Sequence, residues 1–281
     1  MLDIIFIADF FADQVNGGGE LNNQVLIDSL SSKGYNVGCA NSNIVDIDFL
    51  KREKARKYIV SNFINLPAES KTFIQENLQY TIYEHDHKYL KNRNPAKYEN
   101  YKAPESEIIN KRFYENAELI YCQSNFHSGI VKKNLNLDNI VSVSGNLWSD
   151  DSLEFMREMS LKSKKDVCSI MDSATSHKNT EGALKYCHKK GYSYELIPSC
   201  PPKQFLSRIS NNDRFIFFPL TPETLSRIVV EARMMGLKTI TNKRIGAVTE
   251  DWFSLKGSNL VDFMYEKKNE IIEKVEEFVN E

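Results

Sequence analysis

Two glutamates, Glu223 and Glu231, stand eight positions apart, just after the apolar run Phe215-Ile216-Phe217-Phe218-Pro219-Leu220. The run reads as a buried parallel strand. The segment after it reads as a helix over residues 224–235, with Pro222 near its start. Eight residues is a little over two helical turns, so a straight helix would set both carboxylates on nearly one side. With Glu223 in the entry turn and Glu231 further along, unpaired backbone N–H groups and the positive end of the helix dipole lie between them, where a phosphate is readily held. Carboxylates accept hydrogen bonds from hydroxyl groups. Together these groups suit a sugar joined to a nucleoside through a diphosphate.

Three other clusters carry chemistry. Near the N-terminus, Ala8-Asp9-Phe10-Phe11 leads into Gly17-Gly18-Gly19-Glu20, a strand, a glycine turn and a helix that let backbone pass close to a ligand. It matches neither GxGxxG nor a Walker A loop. Tyr83-Glu84-His85-Asp86-His87 places two imidazoles around a carboxylate. On a strand the histidines would share one face without a third ligand, so no zinc site is expected there. Asp46-Ile47-Asp48 has the spacing of a metal-binding DxD but sits in what reads as an acidic surface loop.

The elements that must position these residues alternate between strand and helix, the pattern of parallel α/β units. Strands are expected at residues 4–8, 36–40, 57–60, 80–83, 119–122 and 140–143, and helices at 20–32, 105–116 and 125–134. After the polar stretch Trp148-Ser149-Asp150-Asp151-Ser152, read as a hinge, a second series follows. Its strands are expected at 167–171, 193–197, 214–218 and 238–241, and its helices at 179–190, 202–210 and 224–235. The tail 266–281 reads as a charged amphipathic helix with Ile271, Ile272, Val275, Phe278 and Val279 as its apolar stripe. The expected organisation is two doubly wound domains, 1–149 and 150–265, with a ligand crevice between them. The tail 266–281 would pack back on the first domain.

Composition bounds the function. A chain of 281 residues, 41% hydrophobic and 26% charged, has room for two compact domains, and its net charge of -2 gives no global argument for nucleic acid or membrane binding. Five scattered cysteines without CxxC spacing read as reduced thiols. The chain opens directly on a strand with no signal core, and no apolar run approaches about 18 residues. A cytoplasmic location is expected, with at most peripheral membrane contact.

Taken in order, the glycine turn Gly17-Gly18-Gly19-Glu20, the His-containing strand end at His85 and the Glu223 to Glu231 spacing resemble the GT-B retaining glycosyltransferases of the glycosyl transferases group 1 (GT4) family. That family includes sucrose synthase-like and phosphatidylinositol mannosyltransferase-like enzymes. The E-x7-E spacing, followed by Ala232 and Gly236, is the most specific of the three. The resemblance implies an α/β GT-B fold of two Rossmann-like domains facing across a cleft, 1–149 on the acceptor side and 150–265 for the nucleotide-sugar. It also implies transfer of a sugar from a nucleotide donor, UDP- or GDP-linked, with retention and without a cofactor or bound metal.

Roles follow from the resemblance. Glu231 would hold the ribose hydroxyls and Glu223 the donor sugar. Thr224, Leu225 and Ser226 would offer backbone N–H groups to the diphosphate, and Gly18 and Gly19 would border the donor. Lys178, in Ser176-His177-Lys178-Asn179, resembles the family lysine that neutralises the leaving diphosphate, a charge that grows as the leaving group departs. His85 would contact donor sugar or acceptor, with Glu20, Asp86 and His87 on the acceptor side. Two features depart from the family. Its Gly-Arg pair is replaced by Met171-Asp172-Ser173, leaving Arg227 as a substitute cation, and its glycine-rich segment between the glutamates reads Thr-Leu-Ser-Arg. These departures favour an alternative, a degenerate GT-B nucleotide-binding protein without transfer activity. A sugar-nucleotide epimerase of the same two-domain fold is a third reading.

The acceptor hydroxyl would belong to a glycan, a lipid-linked sugar or a hydroxymethylated DNA base. Two segments, Lys51-Arg52-Glu53-Lys54-Ala55-Arg56-Lys57 and residues 88–98, are rich in cations, the second interleaving them with Tyr89 and Tyr98. They read as basic surface able to meet phosphates of DNA or anionic lipids.

Overall fold

The computed structural model describes residues 1–281. Contacts divide the chain into two compact units. Unit 1 is Met1–Leu147 with Lys268–Glu281, and unit 2 is Trp148–Lys267.

Unit 1 is a six-stranded parallel sheet in the order β2-β1-β3-β4-β5-β6. Its strands are β1 (Leu2–Ala8), β2 (Val37–Asn41), β3 (Ala55–Val60), β4 (Tyr80–Glu84), β5 (Ile120–Cys122) and β6 (Ile140–Ser142). Between them run α1 (Gly18–Ser32), α2 (Ile47–Arg52), α3 (Ala68–Asn77), α4 (Lys111–Glu115) and α5 (Asn125–Leu135). The side-chain period of two splits β1 between two cores. Ile5 and Ile7 pack with Tyr58, Val60 and Ile82 on one face. Ile4, Phe6 and Ala8 pack on the other with Leu26 and Leu30 of α1 and with Ile271, Ile272, Val275, Phe278 and Val279. Burial on both faces explains the unbroken apolar run of the strand.

Unit 2 is a four-stranded parallel sheet in the order β10-β9-β7-β8. It comprises α6 (Asp150–Ser160), β7 (Lys165–Asp172), α7 (Thr180–Lys190), β8 (Tyr194–Pro198), α8 (Pro202–Ile209), β9 (Asn212–Phe217), α9 (Arg227–Met234) and β10 (Lys238–Thr241). Phe215 and Phe217 enter the core with Val229 and Val230, while Ile216 packs on the opposite face with Cys168 and Ile170. The last helix, α10, spans Ser258–Asn280, and its residues from Lys268 onward belong to unit 1.

Several local expectations change. The polar stretch at 148–152 opens unit 2 and starts a helix: Ser149 accepts a hydrogen bond from the Ser152 amide at 3.3 Å and caps α6, a contact worth about 1 kcal/mol. Asp46 likewise caps α2, accepting from the Phe49 amide at 2.7 Å, so the DxD-like spacing marks a helix start. The helix expected over 105–116 is broken, with one turn at Glu105–Glu107 and α4 after Asn110, which sits at φ 55°. The Asn110 side chain donates to the Lys88 carbonyl at 2.9 Å and accepts from Lys71 Nζ at 3.3 Å, which fixes this left-handed break.

Candidate functional site

In unit 2 the chain leaves β7 to form β8 on one side and returns as β9 on the other, so strand order reverses between β7 and β9. Ligands of open α/β sheets bind outside the carboxyl ends of strands at such a point. The two loops leaving it carry Lys178 and Glu223. Lys178 lies in the short turn Ser176–Lys178, and Asn179, at φ 57°, caps α7 by accepting from the Gly182 amide at 3.2 Å. Asn179 Nδ2 also donates to the Phe218 carbonyl at 2.9 Å, and the Leu220 amide donates to the His177 carbonyl at 2.8 Å. These bonds tie one loop to the other and bring Lys178 Nζ to 2.8 Å from Glu223 Oε1.

Glu223 itself lies on a loop rather than on a helix. Its amide donates to the Arg244 carbonyl at 2.8 Å, its carbonyl accepts from Gly246 at 2.9 Å, and the Ala247 amide donates to the Leu225 carbonyl at 3.0 Å. Leu225 and Ile245 are fully buried beneath this pairing. Ser226 then adopts φ 74°, ψ 78°, and α9 begins only at Arg227. The helix expected from Thr224 is therefore three residues shorter at its start, because backbone pairing of 223–225 with 244–247 replaces helical bonds there. The glutamates do not stack on one straight helix: Glu223 sits on the loop and Glu231 in the second turn of α9. A left-handed non-glycine residue costs on the order of 1 kcal/mol. The buried Ser226 Oγ at this helix entry has no hydrogen-bond partner.

Glu231 Oε1 accepts from Trp148 Nε1 at 2.9 Å and lies 2.9 Å from Arg227 Nε, one turn back on α9. The Arg227 guanidinium stacks 4.7 Å over the Trp148 ring. Burial lowers the Arg227 pKa and Glu231 opposes that shift. Arg227, the expected substitute cation, is thus engaged as the partner of Glu231.

In unit 1 the glycine turn has two distinct uses. A Cβ on Gly17 would fall 2.1 Å from Glu20 Oε2, so this glycine lets the Glu20 carboxylate fold back over the start of α1, where Asn62 Nδ2 donates to it at 3.2 Å. A Cβ on Gly19 would stand 3.1 Å from the His85 ring. Gly18 is the first residue of α1. His85 Nε2 lies 2.7 Å from Asn23 Oδ1, and its Nδ1 lies 2.5 Å from Gln123 Nε2. Because the Asn23 amide nitrogen donates to Ser61 Oγ at 2.7 Å, the ring is the Nε2–H tautomer. Burial, reinforced by Lys88, lowers its pKa to about 3. Both ring nitrogens are thus engaged, and burial favours the neutral imidazole.

Beyond β4 the two histidines turn to different neighbours instead of sharing a strand face, because β4 ends at Glu84. His87 pairs through Nδ1 with the Tyr89 hydroxyl at 3.1 Å and meets the His127 ring edge-on at 5.2 Å. Burial lowers its pKa to about 4. No three His, Cys, Asp or Glu side chains come together in the chain as a metal-binding group. Lys88 Nζ bridges Glu84 Oε1 and Asp86 Oδ1, each at 2.8 Å, and the Tyr114 hydroxyl donates to Glu84 Oε2. Lys88 is only 2% exposed, and Lys57, also buried, sits 4.7 Å over the Phe278 ring. The basic surface expected from these segments therefore loses two of its cations to internal carboxylates and packing.

Neutral buried histidines make a pH prediction. His85 and His87 bind protons more readily in the unfolded chain, whose ordinary value is 6.5, than in the fold, at about 3 and about 4. Stability should therefore be complete above about pH 6.5 and fall as pH drops towards 4. Thermal denaturation between pH 7.5 and 4 should show a falling Tm, and a flat profile would contradict the burial assigned to these rings.

Sequence reasoning missed Trp148, Asn23, Gln123 and the Glu84–Lys88 pair. Asn23 had a usable signal, standing four residues after Gly19 and so on the same face of α1. The others follow from tertiary packing.

No family model matches the sequence, and no curated protein matches it. Solved structures do. HepE of Anabaena, in complex with UDP and glucose, is 11% identical with a TM-score of 0.53, over 97% of this chain and 92% of that one. The catalytic domain of starch synthase IV from Arabidopsis thaliana, bound to ADP and acarbose, is 10% identical with a TM-score of 0.57, over 99% and 94%. Sucrose-phosphate synthase from Thermosynechococcus elongatus is 9% identical with a TM-score of 0.57, over 88% and 82%. At this identity the likeness is one of fold: the chain has the α/β GT-B fold, with two parallel-sheet Rossmann-like units.

Proposed function

We propose that this chain transfers a sugar from a nucleotide-sugar donor, UDP- or GDP-linked, to an acceptor hydroxyl with retention at the anomeric carbon. One observation carries this: Lys178 and Glu223 meet at the strand-order reversal of unit 2, and Glu231 follows on the helix that leaves the same loop. Of the proteins that share the fold, HepE is in complex with UDP and starch synthase IV is bound to ADP, which supports a nucleotide as a ligand of this chain.

In this reading Glu231 accepts hydrogen bonds from the ribose diol through Oε2, while Trp148 and Arg227 hold Oε1 and fix the carboxylate. The amides at 224–226 and the first turn of α9 face the diphosphate. Lys178 moves from Glu223 to the phosphate as charge builds there, and Glu223 takes up a hydroxyl of the sugar. The bond from the anomeric carbon to the diphosphate oxygen breaks, and the acceptor oxygen bonds to the same face. The acceptor proton passes to the departing phosphate oxygen, so no side chain need act as base. That assignment accords with the neutral, clamped His85. In unit 1, the carboxyl edge of the sheet, with Gly18, Gly19, Glu20 and Asp86 around it, is assigned to recognition of the substrates, whereas His87, expected on the acceptor side, is 3% exposed and packs against Tyr89 and His127. The mechanism requires no bound metal, which indifference of turnover to EDTA would check.

Glu231→Gln should weaken nucleotide affinity by about 1–3 kcal/mol, the scale of a hydrogen bond to a charged group. Glutamine is the informative change because alanine would also strand the buried Arg227. Isothermal titration with UDP and GDP measures it, and unchanged affinity in the folded variant would remove Glu231 from the site.

A further inference from the structure

We infer that the acceptor is an uncharged, hydroxyl-bearing amphiphile whose apolar part rests on three loops at the carboxyl edge of unit 1. This rests on the assignment, made under Proposed function, of that edge to substrate recognition. In unit 1 the chain goes from β1 to β2 on one side and returns as β3 on the other, so the strand order reverses between β1 and β3. Asp9, 7% exposed, stands at that point. Its carboxylate accepts from the Ser42 hydroxyl after β2 and from the Ile64 and Asn65 amides after β3, both at 3.0 Å. Asn41 Nδ2 donates to the Asp9 carbonyl at 3.0 Å, and Gln14 Nε2 donates to Asn41 Oδ1 at 3.1 Å. One buried carboxylate and its neighbours therefore fasten three loops together.

Each of those loops presents a large apolar side chain to solvent. Phe10 follows Asp9 and is 46% exposed, Ile44 is 57% exposed, and Ile64, whose own amide is held by Asp9, is 50% exposed. Val15, on the first loop, is 41% exposed. Single exposed apolar residues are ordinary, but a cluster at a ligand-binding edge marks a contact surface. Charge then selects the occupant. Segments 9–16, 41–48 and 61–67 contain no Lys, Arg or His, while they carry Asp9, Asp13, Asp46 and Asp48. The nearest cation, Lys71, is half-buried 5.8 Å over the Phe63 ring, donates to Asn110 and already interacts with Asp9, so a nucleic acid or a phosphorylated lipid would meet a surplus of carboxylates here. An alkyl or aryl glycoside, or another neutral alcohol with an apolar body, finds apolar contacts and hydroxyl acceptors on one rigid edge.

The test is isothermal titration of the full chain with methyl and n-octyl β-D-glucopyranoside, the latter kept below its micelle concentration. The octyl compound should bind about tenfold or more tightly than the methyl one through burial of its chain. In the double variant Phe10→Ser, Ile64→Ser that preference should shrink to about twofold or less. Both positions are exposed, so folding should persist, and circular dichroism checks it. No octyl binding, equal binding of the two glycosides, an unchanged preference in the variant, or tighter binding of a hydroxymethylated oligonucleotide would each overturn the inference. UDP and GDP titrations on the same samples separate the two levels. Failure to bind nucleotide counts against the donor site, whereas loss of the chain-length preference counts only against the acceptor class.

Discussion

Replacing Lys178 by alanine should lower donor turnover by about 10²–10³-fold, the loss seen when one pre-placed group stabilising transition-state charge is removed. The expectation follows from where the side chain sits. Its loop is held to the end of β9 by the bonds from Asn179 to Phe218 and from Leu220 to His177, so only the side chain has to swing from Glu223 to meet a departing phosphate. Ground-state nucleotide affinity should fall much less, because the charge Lys178 answers is greatest as the bond breaks. Stability should hardly change, about 1 kcal/mol or less, since the pair with Glu223 is partly solvated, with side chains 28% and 17% exposed. Lys178→Arg should recover part of the turnover. Steady-state nucleotide release beside nucleotide titration distinguishes the cases, and equal losses in both would make Lys178 a simple anchor for the diphosphate.

Lys88→Met should be the most destabilising single change near the candidate site, at about 3–5 kcal/mol, because it strands buried carboxylate charge. Lys88 is 2% exposed, Glu84 is fully buried with Lys88 as its only cationic partner, and Asp86, which Lys88 also binds, has Arg93 as a second partner at 3.4 Å. Against a total stability of about 5–15 kcal/mol for a typical domain, that loss should be plain in urea denaturation. Adding Glu84→Gln removes one stranded charge and should return part of it. The acid limb offers a second readout. Burial pushes Asp86 up, but Lys88 outweighs it and holds the carboxyl at about 2, below its ordinary 3.8. A depressed carboxyl contributes stability that is present above about pH 4 and lost as pH falls through about 2. In Lys88→Met that contribution should shrink, with Arg93 left to favour the ionised Asp86. Wild-type stability in the variant would mean that water, rather than Lys88, balances these carboxylates.

The alternation of apolar strands with helical patterns was readable because strands buried on both faces, such as Ile4-Ile5-Phe6-Ile7-Ala8, leave an unbroken apolar signature. Glu223 stood out by its spacing from Glu231 and Lys178 by its resemblance to a family lysine, and the two side chains lie 2.8 Å apart in the structure. How they are brought together was not readable. The loop that carries Glu223 looks helical in sequence, and only its backbone pairing with residues 244–247 makes it a loop. Arg227 likewise looks available until Trp148, distant in sequence, is found beneath it. Lys88 reads as one cation in a basic run, and its burial depends on Glu84 lying at the end of a central strand. Local pattern reports which face of an element is apolar. It cannot report which distant partner neutralises a charge.

The most direct test of sugar transfer is proton NMR of the wild-type chain with UDP-glucose, GDP-mannose and ADP-glucose, each mixed with methyl and octyl glycosides. The expected result is release of the nucleoside diphosphate from one donor, with a new anomeric signal of the same configuration as the donor. Folded protein that leaves every donor intact across these acceptors would contradict the proposal, and a product of opposite configuration would contradict its stereochemistry.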